Sequence, residues 1–128
     1  GPERHDLVHQ FGLGAFIGAN LRYLVQTWSA ARFGPDWPAG TLLVNITGSF
    51  VLAFFVTLAT TRLIVSPNLR LFVTVGLLGG YTTFSSYMVE TLNLMQTGRW
   101  LPTLFYFLGN IVLGLIAAII GVIAARAL

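Results

Sequence analysis

The chain has 128 residues, 55% of them hydrophobic and 9% charged, with a mean hydropathy of +0.79, which excludes a soluble domain because a soluble fold needs a far more charged surface. Its net charge of +3 comes from seven arginines set singly between apolar runs, so no basic face exists for nucleic acid. Cysteine is absent, which removes disulfide frameworks and thiolate metal sites.

A bilayer core of about 30 Å takes about 20 apolar residues of helix. Four passages of that length run at about residues 7–28, 40–61, 69–97 and 100–125, predicting an all-α membrane protein with one channel-sized domain over residues 1–128. The opening stretch mixes Arg4, His5, Asp6 and His9 and lacks the basic run and short apolar segment of a cleaved signal.

The first passage carries Gly14 and Gly18 in a GxxxG step flanked by Gly12, Ala15 and Ala19. Lipid removes the hydrophobic drive between helices, so close packing at small residues has to replace it. Arg22 sits inside the same passage. It either snorkels or pairs structurally, or it supplies a permanent positive charge that draws an anion into a vestibule.

Gly34, Pro35, Asp36 and Pro38 separate the first passage from the second, where helical spacing sets Thr41, Asn45, Gly48 and Ser49 near one face. Ser66, Pro67 and Asn68 open the third. Its run Gly79-Gly80-Tyr81-Thr82-Thr83-Phe84-Ser85-Ser86-Tyr87 is a poor helix, and a break is expected near residues 79–83. Broken backbone at membrane depth survives only where protein, water or an ion satisfies the freed carbonyls. A helix restarting near Ser85 would aim backbone N–H groups inward, with Phe84 and Tyr87 sharing a face. An aromatic edge carries partial positive charge, so such rings can meet a small anion, or simply pack on each other. Glu90 is the only acid within a hydrophobic passage, open to a proton, cation or hydrogen-bonded structural role.

Gly98-Arg99 precedes the fourth passage, which places Thr103, Tyr106, Asn110 and Gly114 near one face. Asn amides and Thr or Tyr hydroxyls can strip water from an anion without trapping it, and they can equally serve as ordinary interhelical bonds. Trp28, Trp37 and Trp100 fall at passage borders, where amphipathic rings favour the interface. Arg4, Arg62, Arg70 and Arg126 fall on one side of the four passages and Arg32 and Arg99 on the other, a weak bias that either permits insertion in both directions or still fixes one orientation.

These residues resemble the Fluc (CrcB) family of fluoride channels. The resemblance runs through Gly18-Ala19-Asn20-Leu21-Arg22-Tyr23, Gly40-Thr41-Leu42-Leu43-Val44-Asn45 with Gly48, and Gly79 to Phe84 followed by Glu90. It implies a multi-pass protein of the bacterial plasma (inner) membrane. It further implies four transmembrane helices per chain with a broken third helix, in an antiparallel dual-topology homodimer with two pores for fluoride. A sodium ion would lie at the dimer interface on the backbone carbonyls of Gly79 and Thr82. By position, Arg22 matches the vestibule arginine, and Thr41, Asn45, Phe84, Ser85, Tyr87, Tyr106 and Asn110 match the anion pathway. The family's usual second phenylalanine is Tyr87 here, so a hydroxyl or a ring edge can meet the ion. Met88, Asn110 and Gly114 also stand where small polar residues are frequent.

A proton-coupled exporter of the small multidrug resistance type is the alternative of similar size, but it needs a membrane-embedded acid in the first passage, which carries Arg22 and none. A noncatalytic subunit of a larger complex is the third possibility. No Ser, His and acid constellation, metal-ligand cluster or phosphate loop can be assembled, so no enzyme is expected.

Overall fold

A computed structural model describes residues 2–62 and 64–128, with side chains from Asp6 onward; Arg4 and His5 therefore lie outside the described side chains. Among these residues the chain is helical and strand-free: α1 (Pro2–Phe33), α2 (Ala39–Thr61), α3 (Pro67–Leu71), a wider-wound segment (Phe72–Leu78), α4 (Gly79–Tyr81), α5 (Ser85–Gln96) and α6 (Trp100–Arg126). The stretch from α3 through α4 is one uninterrupted rod, because the junction residues Leu71, Phe72, Leu78 and Gly79 all keep helical backbone angles.

Local chemistry sets the ends. Gly34 and Gly98 take φ of 91° and 73° just past α1 and α5, the left-handed conformation that lets a chain leave a helix. Ser66 caps α3 by accepting the Leu69 N–H at 3.1 Å, and Pro67 fills the first helical position, where its missing N–H is not needed. Within the apolar helices, the hydroxyls of Thr27, Thr47, Thr60, Thr61, Thr74, Thr91 and Thr103 bond a carbonyl one turn back, which hides each polar group without a partner helix.

The two backbone approaches that organise the bundle are glycine-built. A side chain at Gly80 would place its Cβ 2.7 Å from the Ala15 carbonyl oxygen, and one at Gly14 would lie 2.9 Å from the Leu77 nitrogen, so α1 and the rod touch backbone to backbone. Gly121 gives the same intimacy between α6 and the Phe50–Phe54 turn of α2. Contacts advance together along both pairs, from Gly14 with Gly76 to Gly18 with Tyr81, and from Asn45 with Asn110 to Arg62 with Arg126. Each pair is therefore parallel, and with α1 and α2 joined by a short turn the chain runs alternately up and down.

The glycine pair does not end the helix where composition suggests. Gly79 and Gly80 are helical, and the chain leaves the helix at residues 82–84, with Thr82 extended at φ −80° and ψ 158°. The missing side chain of Gly80 makes room for α1 rather than for a turn. Just before it, the winding widens so that the Gly79 N–H reaches the Thr74 carbonyl five residues back.

Burial is inverted relative to a soluble bundle. On α6 the buried residues are Thr103, Tyr106, Asn110, Ala117, Gly121 and Ala125, while Leu104, Phe105, Leu108, Leu115 and Ile123 face outward. Polar and small groups inside with large apolar groups outside is the arrangement that hydrocarbon selects. Two helices, Ala39–Thr61 and Trp100–Arg126, are long and apolar enough to cross a bilayer, with mean hydropathies of 2.1 and 2.5 over their best windows.

Candidate ion pathway

Asn45 joins α2 to the non-helical residues. Its Nδ2 donates to the Thr83 carbonyl at 3.2 Å and to Asn110 Oδ1 at 3.1 Å, while its Oδ1 accepts the Thr83 N–H at 3.2 Å. One side-chain amide thus replaces, for Thr83, the backbone ladder that the interrupted helix withholds. Asn110 is itself held, its Nδ2 donating to the Tyr106 carbonyl at 3.0 Å.

One helical turn away from Asn45, a second cluster converges on Glu90. Thr41, buried at the start of α2, donates to Oε1 at 3.0 Å, and Tyr106, wholly buried on α6, donates to Oε2 at 2.6 Å. Three elements therefore meet at one carboxylate, and both oxygens have a hydroxyl donor. Gln26 of α1 adds a fourth, its Nε2 donating to Thr41 Oγ1 at 3.3 Å.

This cluster floors a cavity of about 510 Å³ that opens at the loop of residues 34–38 and is lined by Gln26, Thr41, Ser86, Glu90, Asn93 and Arg99 among others. A shallower cavity of about 260 Å³ continues along α5 past Ser85, Ser86, Val89 and Glu90. Ser86 and Glu90 border both, so the two cavities are neighbours along α5.

Aromatic rings cluster where α5 begins and against the first half of α6. Phe84 meets Tyr87 edge-on, with centroids 6.1 Å apart and planes at 77°, and Tyr87 meets Tyr106 at 5.5 Å and 64°. Phe107 stacks on Tyr87 at 5.7 Å, and the Tyr87 hydroxyl donates to the Phe107 carbonyl. The hydroxyl is thus occupied, and the Tyr87 ring is buried among Phe84, Tyr106 and Phe107. Trp37, from the loop, closes the cluster edge-on against Tyr106 at 5.9 Å.

The sequence-predicted residues divide into two groups. Thr41, Asn45, Tyr106, Asn110 and Tyr87 are brought together in the interior. Phe84 and Ser85 lie on the outer side of the same helix start, and Phe84 is 72% exposed. Arg22 faces the rod, its Nε donating to the Gly80 carbonyl at 3.3 Å, and is only half-buried. Glu90, Gln26 and Thr83 belong to the site without having been assigned to it from sequence. Glu90 carried a signal as the one acid in an apolar passage, and Gln26 stands four residues after Arg22 on the same face of α1; the contribution of Thr83 is backbone and has no signature.

The interruption frees backbone carbonyls of a kind that a cation can use. The Thr83 N–H, which in a continuing helix would bond the Gly79 carbonyl, is turned to Asn45 instead, and Thr82 is extended. Backbone oxygens released in this way are the hard, uncharged ligands that a sodium ion accepts. No group of three or more His, Cys, Asp or Glu residues that could hold a metal occurs among the described residues.

Residues 10–122 match the family described as "CrcB-like protein, Camphor Resistance (CrcB)". The chain is 50% identical over 110 residues to a protein of Chloroflexus aurantiacus named fluoride-specific ion channel FluC, covering 86% of this chain and 87% of that one. Proteins of the same name from Roseiflexus sp. and Rhizobium meliloti are 47% and 38% identical over 116 and 117 residues, each covering 91% of this chain and 94% of the relative. With a family match across nearly all of its length and relatives this similar, the chain belongs to the CrcB family.

Proposed function

We propose that the chain is a fluoride-selective passive channel of the bacterial plasma membrane, working as an antiparallel dual-topology homodimer with two pores. The observation that carries this reading is the linked set of uncharged polar groups, Thr41, Asn45, Tyr106 and Asn110, whose hydrogens are shared with Glu90, Thr83 and one another inside a helix bundle with an apolar exterior, Thr41 also lining the wide cavity. Fluoride holds its water strongly, so a narrow route must offer closely spaced hydrogen-bond donors in its place, and a larger halide fits them poorly. Relatives named as fluoride-specific channels support the same ion.

Each group has a task in this mechanism. Arg22 uses only its Nε on Gly80, leaving the rest of a five-donor guanidinium to attract anions. Glu90 does not face the ion bare, since both its oxygens already accept hydroxyl hydrogens; it fixes the orientation of Thr41 and Tyr106. Phe84, exposed beside the serines of α5, then offers its ring edge, with the buried Tyr87 ring packed behind it. The backbone carbonyls of Gly79 and Thr82, at the interruption, would hold a sodium ion between two copies, and such an ion would supply a fixed positive charge there. A second copy is supported by what a single chain leaves uncovered. Phe84 and Ser85 lie exposed beside the site, and Asn20 is exposed on α1 with its amide bonded only to its own Phe16 carbonyl at 2.7 Å. A proton-coupled exporter is disfavoured because the acids of α1, Glu3 and Asp6, fall in its first two turns, at least four turns before Arg22.

Fluoride enters cells as its neutral acid, so the physiological test is growth in acidic, fluoride-containing medium. Cells deprived of their own fluoride exit route are expected to grow when they express this chain and to stop when it carries Asn45→Leu. Absence of protection by wild-type chain recovered from the membrane fraction would contradict the proposal.

A further inference from the structure

Gln26 stands at the junction between the wide cavity and the Glu90 cluster, and nothing in the anion route described above yet uses it. Its backbone is pinned: a Cβ at Gly40 would lie 2.8 Å from Gln26 Cα and 3.1 Å from its Cγ, so the stem of the side chain is pressed against the first turn of α2. Its head lines the cavity together with Thr41 and Glu90. Its amide donates to Thr41 Oγ1 at 3.3 Å, and Thr41 in turn donates to Glu90. A primary amide has two N–H donors, and this single bond uses one of them.

We propose that Gln26 is the outermost donor of the anion route, anchored on Thr41 through one N–H and offering the other to a fluoride ion leaving the water of the cavity. The proposal rests on the channel reading and adds to it the point at which dehydration begins. Two consequences follow from the chemistry. The bond to Thr41 fills a lone pair of that hydroxyl and so keeps its hydrogen on Glu90, giving the donors one direction from Gln26 to Thr41 to Glu90. The amide also puts a positive dipole end at the place where an approaching anion would otherwise first meet the carboxylate of Glu90.

The test compares wild type, Gln26→Met and Gln26→Glu in liposomes, reading fluoride efflux across a range of fluoride concentrations together with dimer elution and thermal midpoint. Methionine keeps the length and loses both donors; glutamate keeps the shape and hydration and retains the fold if methionine does not. Loss of one hydrogen bond to an ion predicts roughly a tenfold lower flux at low fluoride for Gln26→Met, with the half-saturating concentration raised. A larger loss is expected for Gln26→Glu, and elution is expected to be unchanged. A structural role alone would lower the thermal midpoint and leave the half-saturating concentration where it was, which overturns the proposal, as does wild-type flux in either folded variant. Failure of wild type itself to pass fluoride would instead remove the channel reading on which the proposal stands.

Discussion

The side-chain amide of Asn45 holds both backbone groups of Thr83, donating to its carbonyl and accepting from its N–H, each at 3.2 Å. Asn45→Leu leaves both unpaired in a half-buried site, a loss of about 1–3 kcal/mol for each buried group abandoned. The expected outcome is at least a hundredfold lower fluoride flux with a lower unfolding midpoint in detergent. Normal flux would remove Asn45 from the pathway.

Glu90 and Thr41 should behave as one unit. Glu90→Gln keeps one acceptor oxygen and loses the charge, and Thr41→Val removes a donor to it. In a double-mutant cycle read by fluoride flux, the two losses are expected to be strongly non-additive, with coupling above about 0.5 kcal/mol. Simple additivity would mean that the hydroxyl and the carboxylate act separately.

Tyr87 is a buried ring whose hydroxyl is spent on the Phe107 carbonyl. Tyr87→Phe is therefore expected to keep fluoride flux within about twofold while losing roughly 1 kcal/mol of stability, the net value of one hydrogen bond. Phe84→Ile, which removes the ring edge, is expected to suppress flux with the dimer intact. A large flux defect in Tyr87→Phe would show that the hydroxyl meets the ion.

Glycines on one helix should separate by contact. Gly14→Val meets the backbone of Leu77 and is expected to prevent recovery of folded protein, whereas Gly12→Ala, with nothing within 4 Å, should gain about 0.5–1 kcal/mol from helix propensity. Ser29 offers a complementary check: its buried hydroxyl has no partner among the described residues, so Ser29→Ala is expected to be neutral or stabilising in the same unfolding assay.

The interior polar residues were legible because hydrocarbon makes each of them expensive: Thr41, Asn45, Tyr106 and Asn110 stand out among apolar neighbours, and the structure joins them. Their partners were not. Thr83 engages Asn45 through backbone, which has no side-chain signature, and Glu90, visible as a lone acid, meets hydroxyls 49 and 16 residues away. The Gly79-Gly80 pair signalled irregular backbone but not its kind, since a glycine that admits a neighbouring helix and one that turns the chain look alike in sequence. The exit of the chain at Thr82 depends on Asn45 being in reach of Thr83, which is a tertiary fact.

The measurement that tests the central claim most directly is anion efflux from liposomes holding the purified chain, with fluoride and chloride compared under a potassium–valinomycin shunt. Rapid loss of fluoride with chloride retained is the predicted result. Retention of fluoride by vesicles that contain correctly folded protein would contradict it.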